Sequence, residues 1–327
     1  MAAADHDEVR EGVELKHLDA ELFDGAGVTK RDLVDHLDAL ADRLVPQLRD
    51  RPLTVLRVRP GQRPFVQKNL PATAPSWIAT ATAWSQASAR EVRYPLANDR
   101  RTLLWLAGQR AVELHPTVLD GSGAATHLVL DLDPPEGAPF ARVVQAAHLV
   151  RAALTASGLA GAVKTSGAKG VHVLVPVTGA SVDDAAAATR ALAARAEALD
   201  PALATTAFLL DERHGRVFLD PTRSGGASLA SVYSPRARPG APVSFPVAWD
   251  DLDAVAPADF TVATASALLG DRDPWREAMP APQVLPADLL EEGRALPAPR
   301  AVAMHEGKRR ARARREAAEG EGGTITP

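Results

Sequence analysis

The sequence contains no cysteine, which removes disulfide frameworks, thiolate metal sites and cysteine nucleophiles together. No apolar run approaches the roughly 20 residues of a membrane-crossing helix, so a soluble globular chain with no membrane partner is expected. The opening MAAADHDEVREGVE is acidic and lacks an apolar core, which argues against a secretory signal and fits a cytoplasmic protein. No repeat recurs at a fixed period. No GxxxxGK[ST] run leads into a helix, so a Walker A loop is excluded. What is present is 327 residues with 46% hydrophobic content, enough for one large α/β unit or two core-bearing domains.

Acidic residues are missing locally rather than globally. The net charge is −4. Yet Arg51, Arg57, Arg59, Arg63, Lys68 and Arg90 stand in a stretch with no acid, and Arg223, Arg236 and Arg238 stand in another between Pro221 and Trp249. Two such stretches in an acidic protein point to an anion-binding face, with ordinary solvated surface as the alternative. Residues 298–327 include KRRARARREAAEGEGGTITP, basic and then acidic with a glycine-rich end, and are expected to form a disordered charged tail or a nucleic-acid arm.

Periodicity places the elements. Thr29 predicts the cap of one helix carrying Leu33, Leu37, Leu40, Leu44 and Leu48. Leu53 to Val58 predicts a strand, RPGQRP a turn, Asp99 a helix start and AVELH a short strand. Then come a strand through THLVLDLD, a helix from Pro139 to about Ala156, strands AVKTS and VHVLVP around GAKG, a helix capped by Ser181, and a strand RVFLD. The fold class is mixed α/β.

Within HLVLDLDPPEG, Asp131 and Asp133 fall on one face of a strand. Adjacent carboxylates repel unless a cation lies between them, so a divalent metal is one reading and a cap on the Pro-Pro corner is the other. If repulsion dominates, removing either carboxylate should leave the metal-free fold at least as stable. Downstream, TSGAKGVHV sets Ser166, Gly167, Lys169 and Gly170 in a loop whose glycines would let backbone amides approach a phosphate. Lys169 would add a point charge. His172 emerges beside that loop, either as part of it or as a satisfied strand histidine. RVFLD ends in Asp220, followed by proline, with Arg223 three residues later. Three strand-end carboxylates beside a Gly/Lys/His loop form the inventory of two-metal nucleotidyl transfer.

Together with FVQKN, EVRYPLANDRRTLLWLAGQRAVELH and YSPRARPGAPVSFPVAWDDL, these motifs make the chain resemble the primase-polymerase domain of bacterial DNA ligase D. That family is a branch of the archaeo-eukaryotic primase superfamily used in end joining, and the resemblance runs from about Val13 to Leu252. It implies a two-part α/β fold whose β-sheets meet at a two-metal site flanked by helices, within a primase-polymerase domain over residues 1–297. It implies that Asp131, Asp133 and Asp220 are the catalytic metal ligands for two Mn2+ or Mg2+ ions. His115, Ser166, Lys169, His172 and Arg223 would surround an incoming ribo- or deoxynucleoside triphosphate. Lys30, Arg57, Arg59, Arg63, Lys68 and Arg238 would contact DNA.

The implied activity is template-directed addition at DNA ends, gaps or primer-templates in non-homologous end joining or repair. Ku, a separate ATP-dependent DNA ligase and a nucleoid-associated cytoplasmic location are the expected context. No ligase or phosphoesterase segment is present, so a stand-alone polymerase is expected. The family's lysine ten residues before Lys30 is Ala20 here. Of the two lysines that flank a 5′-phosphate in relatives only Lys30 remains, aided by the helix start after Thr29. A metal-dependent glycosyltransferase or phosphatase is the alternative, but many glycosyltransferases share only the DxD, and the phosphatases carry a threonine where Pro135 stands. A catalytically silent DNA-binding scaffold is a third reading, against which the intact carboxylate set speaks.

Overall fold

The computed structural model describes residues 7–85, 90–120 and 122–297, so the expected charged tail over 298–327 lies outside the described residues. Its centre is a six-stranded sheet in the order Ala204–Thr205, Val217–Asp220, His127–Asp133, Val171–Pro176, Ala162–Thr165, Pro246–Val247. Only the first pair is parallel. Along His127–Asp133 the side chains alternate. Leu128, Leu130 and Leu132 face the main core, against helices Phe140–Ala156 and Val182–Leu199. Val129, Asp131 and Asp133 take the other face. Helices thus cover one side of the sheet and leave the carboxylates on the other.

A second sheet of three strands, Gln62–Gln67, Leu53–Arg59 and Ala111–Pro116, is antiparallel throughout. The segment from Leu229 to Phe245 joins the two sheets. Its Leu229 and Ser231 amides donate to Pro116 and Leu114, while the Thr165 amide donates to the Phe245 carbonyl on the large sheet's side. One continuous cluster of buried side chains runs from Val13 to Leu289.

The capped helices appear where the sequence signals them. Ser181 with Asp184, and Thr29 with Asp32, form reciprocal capping boxes, and Asp99 caps Arg100–Gly108. The leucine-striped helix is not one helix but two, Lys30–Ala39 and Ala41–Leu48, broken at Leu40. Its leucines are still all buried, so packing survives a break that no breaker residue marks. Elements that local patterning did not mark are the hairpins Glu8–Arg10 with Val13–Leu15 and Thr80–Ser85 with Arg90–Pro95, and the short helices Ala265–Leu269, Pro274–Ala278 and Ala287–Ala295. Among the described residues no helix is long and apolar enough to cross a membrane.

Candidate active site

The strand register assembles the site. Asp131 lies directly opposite Asp220 on one neighbouring strand and opposite His172 on the other. His172 in turn lies opposite Lys164. Directly opposed residues share a face, so Asp220, Asp131, His172 and Lys164 form one row across four strands. Asp133 follows Asp131 on the same face. All four residues of the row are buried, with relative exposures of 6%, 7%, 3% and 1%.

Buried charge demands partners, and the row supplies them. Lys164 Nζ donates to His172 Nδ1 at 2.7 Å, to Ser244 Oγ at 2.6 Å and to the Ala230 carbonyl at 3.0 Å. These three acceptors match the three N–H bonds of an ammonium. Burial nonetheless presses Lys164 well below the usual lysine range, with Arg236 acting in the same direction. His172 Nε2 lies 3.2 Å from Asp131 Oδ1, and burial followed by the Lys164 charge holds the imidazole down at about 4, hence neutral at physiological pH. Arg223 Nε bridges Asp131 Oδ2 at 3.1 Å and Asp220 Oδ2 at 3.4 Å.

The DxD carboxyls are therefore unequal. Burial alone would raise Asp131, but His172, Arg223 and Lys164 outweigh it and bring the carboxyl to about 2. Asp133 is pushed up to about 6 by burial and by the Asp131 charge, against a smaller pull from Lys169. It is a carboxylate short of positive charge. The three aspartates are hard oxygen donors of the kind Mg2+ and Mn2+ take, so the donor chemistry fits such ions. Among the described residues, however, no three His, Asp or Glu side chains already converge as a formed metal cluster. Arg223 and His172 occupy oxygens of Asp131 instead.

The TSGAKG loop packs onto this strand. A Cβ at Gly170 would lie 2.4 Å from the Leu132 carbonyl, and one at Gly167, where φ is +69°, 2.7–2.9 Å from Arg236, Ser244 and Val243. Only glycine permits that approach. The loop differs from expectation in its donors: Ser166 is buried, and its Oγ accepts from the amides of Ala168 at 3.2 Å and Gly170 at 3.0 Å. Those two amides turn inward, and Lys169 is the loop's exposed charge.

His115 sits on the neighbouring sheet, paired with Glu113 at 2.8 Å. Burial would raise Glu113, but hydrogen bonds from His115 and the Ala237 amide and the charge of Arg236, 3.0 Å away, hold it at about 2. Arg236 Nη1 also donates to the Ser166 carbonyl at 2.6 Å, tying the His115–Glu113 pair to the loop. Lys164, Glu113 and Arg236 were not singled out as site residues. Each sits inside a motif already quoted, and the available signal was a charge within an otherwise apolar strand or a short basic run.

The expected DNA-contacting residues divide. Arg59, Arg63, Lys68 and Arg238 are exposed, Arg59 lying 5.1 Å from the Phe65 ring centre. Arg57 is half-buried and donates to Gln109 O at 2.7 Å and Gln67 Oε1 at 2.8 Å. Lys30 is buried, its Nζ 2.6 Å from the Lys16 carbonyl. The helix start beside it offers less than expected, because the amides of Lys30, Arg31 and Asp32 donate to Ala20 O, Leu18 O and Thr29 Oγ1.

The fold and site define a mixed α/β protein with strand-end carboxylates beside a glycine-tight lysine loop, and comparison sharpens this class. Residues 29–275 match the family model described as LigD, primase-polymerase domain. The multifunctional non-homologous end joining protein LigD of Mycolicibacterium smegmatis is 34% identical over 250 residues, covering 74% of this chain and 32% of that protein. The bifunctional non-homologous end joining protein LigD of Bacillus subtilis is 30% identical over 259 residues, covering 77% of this chain and 41% of that one. The polymerase domain of Mycobacterium tuberculosis ligase D in complex with DNA superposes with a TM-score of 0.74 at 31% identity, covering 81% of this chain and 97% of that one. The chain belongs to the LigD primase-polymerase domain family. It spans well under half the length of those two curated relatives.

Proposed function

We propose that this chain is a template-directed nucleotidyltransferase that adds ribo- or deoxynucleotides to DNA ends, gaps or primer-templates in end joining or repair. The observation that carries this reading is the register that sets Asp131 and Asp220 side by side, with Asp133 on the same face and the GAKG loop packed through Gly170 against the Leu132 carbonyl. Family membership and the DNA-bound structural relative support it. Asp131, Asp133 and Asp220 would hold two Mn2+ or Mg2+ ions, which when bound activate the attacking hydroxyl and neutralise the triphosphate.

The chain's own residues do the rest. Lys169 presents an exposed ammonium beside Asp133 for the triphosphate. His115 and the Ser166 loop, joined through Arg236, border the nucleotide. Arg223, between Asp131 and Asp220, lies close enough to turn from carboxylate to phosphate. Arg59, Arg63, Lys68 and Arg238 offer exposed charge to the DNA backbone. In this reading residues 1–297 are the polymerase unit. Ku and an ATP-dependent ligase activity are its partners, in a nucleoid-associated cytoplasmic setting. The test is incubation with primer-template DNA, Mn2+ or Mg2+ and labelled ribo- or deoxynucleotides. Templated extension that needs Asp131 is expected; no incorporation with either metal overturns the reading.

A further inference from the structure

We propose that buried Lys164 is a positioning residue: it fixes the tautomer of His172, and through it which oxygen of Asp131 remains available to a cation. This rests on the reading of Asp131 as a metal ligand. With two of its hydrogens on Ser244 Oγ and the Ala230 carbonyl, Nζ held as an ammonium has a third for His172 Nδ1, 2.7 Å away, and Nδ1 is then the acceptor. The ring proton then sits on Nε2 and points at Asp131 Oδ1, 3.2 Å away. With Oδ1 engaged, Oδ2 is the remaining oxygen, and it is the one Arg223 touches, 3.1 Å away. The hold on Lys164 is itself complete, because Ser244 Oγ and the Ala230 carbonyl take its other two protons, and Ser244 passes its own proton to the Thr165 carbonyl at 2.8 Å. The chain Ser244–Lys164–His172–Asp131 thus fixes the carboxylate from behind, as outer-shell partners of metal ligands do. It also couples the site to the segment carrying Arg236, since Ser244 lies against Gly167.

The test reads the histidine directly. In 15N-labelled wild type, with His172 assigned by comparison with His172→Gln, Nδ1 is expected to be the unprotonated nitrogen and Nε2 the protonated one. Lys164→Met keeps the length and apolar fit but removes the donor. It should release the ring to a mixture of tautomers and weaken Mn2+ binding, followed by electron paramagnetic resonance, by roughly 10- to 100-fold. Ser244→Ala, which removes one acceptor of Lys164 while keeping the lysine, should give a smaller shift in the same direction. A wild-type ring protonated on Nδ1 overturns the proposal whether or not any variant folds. So does a folded Lys164→Met with unchanged Mn2+ affinity. If wild type binds no Mn2+, the metal reading of the carboxylates fails separately, and the ring nitrogens still decide the role of Lys164.

Discussion

At the end of the central strands, Asp131, His172 and Lys164 lie within hydrogen-bond reach of their neighbours and are 7%, 3% and 1% exposed. Along the Leu53–Gln67 hairpin, Arg59 and Arg63 stand in solvent, Lys68 follows just beyond it, and only Arg57 turns inward. The first region spends burial to hold charges in fixed relation, so removing one member strands the others. The second keeps its charges hydrated and screened, so each acts singly and through ionic strength. Substitution should therefore be severe and coupled in the row, but mild and additive in the hairpin.

The largest effect is expected at Asp131. Asp131→Ala should reduce nucleotide addition to background and, unlike the expectation from simple repulsion, should destabilise the metal-free fold. It leaves Arg223 only the longer contact to Asp220 and His172 Nε2 without its carboxylate, and a buried group left unpaired costs about 1–3 kcal/mol. Denaturant unfolding without metal measures this, and an unchanged midpoint would show that the row is not interlocked.

Asp133 should do the opposite. Its carboxyl is pushed up to about 6 from an ordinary 3.8 by burial and the Asp131 charge. A raised carboxyl contributes stability that is fully present below about pH 4 and is lost as pH rises through about 6. Asp133→Asn should therefore match wild type near pH 4 and exceed it at pH 7. The difference of roughly two pH units, at 1.36 kcal/mol each, caps the gain at about 3 kcal/mol, and coupling to Asp131 makes about 1–2 kcal/mol the expected value. A stability difference between the two proteins that does not vary with pH would place the carboxyl at its ordinary value. Activity should be lost in this variant regardless.

The contrast also explains what could be read in advance. Asp131, Asp133, Asp220 and the GAKG loop were legible because strand alternation, a proline stop and glycine spacing are local properties of the chain. Lys164 was not, although AVKTS was correctly placed as a strand. Its partner His172 is eight residues away, but Ser244 and Ala230 come from a distant segment, and nothing local reveals that a strand lysine will be enclosed. Arg57 shows the reverse. Its company of arginines suggested DNA, while its guanidinium is used on Gln67 and Gln109. The hairpin Thr80–Ser85 with Arg90–Pro95 offered little signal, since TATAWS is short and mostly small side chains.

The hairpin can be split by substitution. Arg57→Ala should cost about 1–3 kcal/mol of stability, because Gln67 and the Gln109 carbonyl lose a charged donor. It should leave the salt dependence of DNA binding nearly unchanged. Replacing Arg59 and Arg63 together should leave stability within about 0.5 kcal/mol. That pair should lower the slope of log affinity against log salt by roughly 0.9 for each lost duplex phosphate contact. Titration of each variant with gapped DNA at several salt concentrations separates the two roles. A slope that falls for Arg57→Ala and holds for the pair would reverse the assignment.

The smallest effect concerns the 5′-phosphate side of a gap. Lys30 was expected to retain half of a two-lysine clamp, yet it is 5% exposed with its ammonium on the Lys16 carbonyl, and the adjoining helix amides are taken. Ala20 is exposed, and its carbonyl accepts the Lys30 amide at 2.9 Å, so the two positions of the clamp do lie side by side. Lys30→Ala should therefore lower stability by about 1–3 kcal/mol while changing little in the preference for 5′-phosphorylated over 5′-hydroxyl gaps. Ala20→Lys places a hydrated charge on the open side of the same pairing. An exposed ion pair is worth about 0.2–1 kcal/mol, so that preference should grow by roughly 1.4- to 5-fold at low salt and shrink as salt rises. Binding on gapped substrates that differ only in the phosphate measures both variants. If Lys30→Ala erases a strong wild-type preference and Ala20→Lys adds nothing, Lys30 leaves the Lys16 carbonyl when DNA arrives, and the buried ammonium is a phosphate ligand at rest.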